Sequence, residues 1–79
     1  MTQLEEKLIE LDFIQGLNSP HRWWKNYNDQ VEFLLSLEDN QIDYWEIERV
    51  FETNGNIFEL QQELDNLQKD LKLLIEYVK

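Results

Sequence analysis

Few side chains in this sequence are suited to covalent chemistry, and none stand together. His21 is the single histidine, and there is no cysteine. Nucleophilic catalysis needs a hydroxyl or thiol within reach of a base that a third group orients. Neither Ser19 nor Ser36 stands in a pattern that supplies such a set. A zinc site needs several imidazole or thiolate donors, and a lone histidine cannot provide them. The run Asp39-Asn40-Gln41-Ile42-Asp43 is rich in oxygen donors. It lacks the alternating ligands and central glycine of a calcium loop. No glycine-rich phosphate loop occurs. Carboxylates are abundant, but acid–base catalysis needs an enclosed pocket that drives two pKa values apart. The residues therefore point to a protein that is not an enzyme and has neither cofactor nor metal.

Carboxylates in such numbers are suited to recognition. Seventeen acids against seven bases give a formal charge of −10 in 79 residues, with a pI near 4.3. The central tract carries Asp29, Glu32, Glu38, Asp39, Asp43, Glu46, Glu48, Glu52, Glu59, Glu63 and Asp65, opposed only by Arg49. Like charges so close together repel one another and cost stability, less so in salt. Solubility alone is one explanation. The other is a partner with a basic surface, which such a tract would steer and orient. Direct binding to nucleic acid is disfavoured, because phosphate contacts need Lys and Arg. Anionic membrane surfaces are disfavoured for the same reason.

Trp45 lies inside this tract, among Asp39, Asp43, Glu46, Glu48 and Glu52. Tryptophan is a common interface anchor, large and with little rotamer entropy to lose. These six residues are the expected contact set. The expected function is an inhibitor or antagonist that covers a basic, nucleic-acid-binding surface of a partner protein. Phage anti-defence proteins, immunity proteins and antitoxins use the same physics.

Elements must hold these residues, and helical periodicity predicts an all-α chain. One domain, 1–79, is expected to fold as a small four-helix bundle with helices at about 3–15, 20–37, 40–53 and 57–78. Thr2 and Glu5 have capping-box spacing, and Gly16 is a candidate helix stop. Ser19-Pro20 signals the second helix, whose face would carry Trp23, Trp24, Tyr27, Val31, Leu34, Leu35 and Leu37. Asp39 or Asn40 would cap the third, and Asn54-Gly55 would end it. On that third helix Tyr44, Ile47, Val50 and Phe51 share one arc, with Trp45 opposite. The last helix has a seam of Leu60, Leu64, Leu67, Leu71, Leu74 and Val78 at alternating spacings of four and three.

The seam suggests a second function, a small homodimeric adaptor or assembly subunit. Its self-association surface would draw on Ile9, Phe13, Leu67, Leu71, Leu73, Leu74 and Tyr77. Length, acidity and four helices also outline an acyl carrier protein. That family's Asp-Ser-Leu attachment site is absent, since Ser19 follows Asn18 and Ser36 follows Leu35. No apolar run approaches the roughly 20 residues of a membrane span. The acidic first dozen residues do not resemble a secretory signal, so the cytoplasm is the expected compartment.

Overall fold

The structure, a computed structural model, describes residues 2–50 and 57–77. It overturns the four-helix bundle. Two helices flank a four-stranded antiparallel sheet, giving an α+β fold. In chain order the elements are α1 (Gln3–Glu10), β1 (Ile14–Gln15), β2 (Arg22–Tyr27), β3 (Val31–Glu38), β4 (Gln41–Val50) and α2 (Ile57–Leu74). A 3₁₀ turn at Ile75–Tyr77 follows α2. The strands lie side by side in the order of the chain, β1-β2-β3-β4.

α1 starts where the capping box requires. The Thr2 hydroxyl accepts from the Glu5 N–H at 3.2 Å, and the Glu5 carboxylate accepts from the Thr2 N–H at 3.2 Å. The helix ends five residues before its expected limit of 15. Asp12 takes a left-handed conformation (φ 69°), its N–H donating to the Ile9 carbonyl while the Phe13 N–H donates to that of Leu8. These two bonds form a Schellman stop, closed by the buried Leu8 and Phe13. Gly16 has another use. A Cβ there would lie 2.6 Å from the Trp24 ring and 2.8 Å from the Ser19 carbonyl oxygen. Glycine therefore lets Trp24 lie against the backbone.

The expected helix 20–37 is the hairpin β2–β3, and 41–50 of the expected helix 40–53 is β4. The remainder, 51–53, lies outside the described residues, as does the Asn54-Gly55 stop. Both hairpin turns are built from Asn and Asp. Asn28 and Asp29 have φ 53° and 59°, and Asp39 and Asn40 have φ 54° and 64°. Two consecutive left-handed residues are the mark of a type I′ turn, whose twist matches that of the paired strands. Asn and Asp tolerate that conformation better than other residues with a Cβ. Asp39-Asn40 is thus a turn between strands and caps no helix.

The core lies between the sheet and the helices. Leu4 and Leu8 from α1 and Leu67 and Leu74 from α2 join Trp23, Tyr27, Val31, Phe33, Leu35 and Ile42 from one face of the sheet. Phe13 enters the same cluster, its ring 6.1 Å from that of Phe33 in an edge-on contact. The leucine seam of α2 is therefore the inner lining of this chain's own core.

A partly buried ion pair fastens α2 to β2. Lys25 Nζ lies 2.6 Å from Asp70 Oδ2, and the Tyr27 hydroxyl donates to the same oxygen at 2.7 Å. The Lys25 ammonium also stands 4.7 Å from the centre of the Tyr27 ring. Burial pushes the Tyr27 phenol far up from its ordinary value. Its bond to Asp70 and the negative charges of Asp70 and Glu63 add to the shift.

Candidate protein-binding surface on strand β4

β4 is the outermost strand of the sheet and, with ten residues, its longest. Along its length the two faces do not alternate regularly. Leu37 pairs with Ile42 but Ser36 pairs with Tyr44, so Asp43 is an extra residue. Phe33 pairs with Ile47 but Glu32 pairs with Arg49, so Glu48 is a second. These are β-bulges, each adding one residue and sharpening the local twist. They place Ile42, Trp45, Ile47 and Val50 on the helix-bearing face, level in turn with Leu37, which packs against the core, and with the core residues Leu35, Phe33 and Val31 of β3.

The helices cover β3 and stop short of most of β4. Leu35, Phe33 and Val31 are 0% exposed, whereas their partners Trp45, Ile47 and Val50 are 41%, 41% and 54% exposed. Only Ile42, at the hairpin end, is buried. The Trp45 ring touches Phe33 edge-on, with centroids 5.7 Å apart. The core thus continues sideways onto β4 as an apolar row open to solvent. Apolar surface also emerges at the end of α2 and the turn after it, where Gln68, Leu71, Lys72 and Ile75 line a groove of about 300 Å³.

The carboxylates expected around Trp45 are divided by the sheet. Glu46 is level with Leu34, which is outside the core cluster and on the opposite face from Trp45. Glu48 accepts a 2.7 Å hydrogen bond from Trp24 Nε1. Trp24 is level with Leu34 on that same face. Tyr44 is exposed beside them, and its phenol is raised from its ordinary value chiefly by a hydrogen bond to Glu46, with Arg22 acting against the shift. Asp39 is exposed in the β3–β4 turn and Asp43 is exposed at the first bulge. Glu52 lies outside the described residues. β4 therefore shows an apolar row on one face, an aromatic and acidic patch on the other, and an unpaired edge between them among the described residues.

The residues expected to mediate self-association separate into two groups. Phe13, Leu67 and Leu74 are buried within the chain's own core, and Leu71 and Tyr77 pack partly against it. Ile9 and Leu73 are each 49% exposed.

Sequence reasoning missed the Lys25, Tyr27 and Asp70 cluster, which borders an open polar cleft of about 330 Å³ with Asn26, Asn28, Glu63, Asn66 and Lys69. Lys25 and Tyr27 both donate to Asp70 Oδ2. The cluster joins helix to sheet. Only the register of β2 against α2 brings the three residues together. No group of three or more His, Cys, Asp or Glu side chains placed to hold a metal occurs among the described residues. Nor is any described helix long and apolar enough to cross a membrane. Comparison with family models, curated proteins and solved structures found no match.

Proposed function

We propose that this chain is a non-enzymatic, acidic protein-binding module that occupies a basic surface of a partner, of the kind that otherwise takes nucleic acid. β4 carries the contact. The observation behind this reading is the open apolar row Trp45, Ile47 and Val50, whose register partners are wholly buried. Exposed apolar rows with polar rims are a common form of protein interface. Tryptophan in such a row is a typical anchor. Asp39 and Asp43 toward the hairpin end of β4, and Glu46 and Glu48 on its opposite face, supply the charge that speeds association with a basic partner and rejects acidic ones.

The test is affinity capture from an extract of the native host, run in parallel with the wild type and a Trp45→Thr, Ile47→Thr double variant. Near-ultraviolet circular dichroism verifies that the variant folds. The expected result is a basic protein recovered by the wild type, lost with the variant and displaced by added nucleic acid. Recovery of the same proteins by both chains would contradict the reading.

A second reading, the homodimeric assembly subunit, is favoured by the same open edge and by the exposed Ile9 and Leu73. The net charge of −10 opposes it. A second copy paired along β4 would bring two sets of carboxylates, Asp43, Glu46 and Glu48 of each, to one seam.

A further inference from the structure

We infer that the partner is bound by strand addition: an extended segment in which apolar and basic residues alternate joins β4 as a fifth strand of the sheet. This rests on the reading above and specifies how the contact is made.

The two edges of the sheet differ. β1 is two residues long and pairs only at Ile14 and Gln15. Such shortness blunts an edge against further pairing. β4 spans roughly 30 Å at a strand's rise per residue. It contains neither proline nor lysine, the residues that most often protect an edge. Its protection consists of two bulges and a set of carboxylates. Carboxylates are selective protection. Like charges set opposite each other across two strands are destabilising, while opposite charges are favourable. The edge therefore resists a second copy of itself and accepts a strand bearing Lys or Arg.

The faces of β4 define the pattern of that strand. Side chains alternate across a strand, so an added strand would set one series beside Trp45, Ile47 and Val50. The other series would lie beside Tyr44 and Glu46, with Glu48 at the second bulge. The matching segment reads apolar–basic–apolar–basic. Between the bulges, Tyr44 to Ile47 pair regularly with β3. They provide a straight length on which a segment of about six residues can begin pairing. Main-chain hydrogen bonds would supply affinity and the two rows of side chains would supply the choice of sequence.

Two synthetic peptides of equal composition test this on the full isotope-labelled chain. In one, Val and Lys alternate; in the other, the same residues stand in two blocks. Nuclear magnetic resonance titration at low and high salt gives affinity and location. The alternating peptide is expected to bind at least about tenfold more tightly than the block peptide. It should shift resonances along Gln41–Val50 and slow exchange of the β4 amides that do not donate to β3. Glu46→Lys should weaken it by about tenfold, and raised salt should weaken it in the wild type. Equal binding of both peptides would overturn strand addition while leaving recognition of basic partners standing. Shifts confined to the Lys25–Asp70 cleft would have the same meaning. Absence of binding by either peptide at low salt would overturn both. A concentration-dependent dimer that protects the β4 edge would also overturn strand addition, by placing a second copy there.

Discussion

Strands β3 and β4 are neighbours in one sheet, paired level by level, yet their surroundings differ. Val31, Phe33 and Leu35 of β3 lie under the helices, and Val50, Ile47 and Trp45 beside them do not. Both rows are apolar. One is closed by the chain's own helices, and the other is open to solvent. Position in the sheet, and not residue type, decides which side chains stabilise the fold and which are available for recognition.

Substitutions on matching levels can break or sharpen this contrast. The largest effect is expected from Phe33→Ala, which empties the centre of the core. A loss of about 3–5 kcal/mol would consume much of a stability of roughly 4–12 kcal/mol for a domain of this size. Urea unfolding measures it, and a loss no greater than that for Ile47→Ala would erase the distinction between the rows.

Asp70→Ala comes next. It leaves the mostly buried Lys25 ammonium and the Tyr27 hydroxyl without their acceptor, at a cost of about 2 kcal/mol after allowing for partial exposure. The same site sets an alkaline limit. The folded chain holds the Tyr27 proton well above the ordinary phenol value of 10.0, while the unfolded chain releases it near that value. The resulting contribution is complete below pH 10 and is lost as the pH rises beyond it. Thermal melts across this range should fall above pH 10 in the wild type and less steeply in Tyr27→Phe. Equal slopes would show that the phenol is not held.

The smallest and cleanest comparison is one chemical change made twice on one level of the sheet. Val31→Thr buries a hydroxyl under the helices and should cost about 1–2 kcal/mol. Val50→Thr puts the same hydroxyl at a half-exposed position and should cost less than about 0.5 kcal/mol. Similar midpoints for the two variants would mean that β4 is covered after all.

The two helices were legible in the sequence and the sheet was not. Thr2 and Glu5 announce the start of α1, and the Leu60 to Leu74 seam announces α2 because nothing interrupts its period. On β4 the bulges at Asp43 and Glu48 shift the apolar residues to 42, 45, 47 and 50, spacings of three, two and three that imitate a helix. On β3 both faces of the sheet are occupied, since Leu34 lies beside Trp24 while Leu35 enters the core. Adjacent leucines of that kind resemble a wide helical face. Two signals could have corrected the reading. The stretch from Trp23 to Val50 is rich in aromatic and β-branched residues, which favour strands. Asn28-Asp29 and Asp39-Asn40 are dipeptides suited to hairpin turns as well as to caps. Trp45 stands out in the sequence, but the separation of Glu46 and Glu48 onto the opposite face depends on strand alternation, which a helical reading conceals.

The central claim is that β4 has an open edge beside an open apolar row, and amide hydrogen exchange of the isolated chain at low concentration tests it directly. The account predicts strong protection for the β4 amides that donate to β3 and rapid exchange for those between them, with β3 protected throughout. Uniform protection along Gln41–Val50, equal to that of β3, would contradict it.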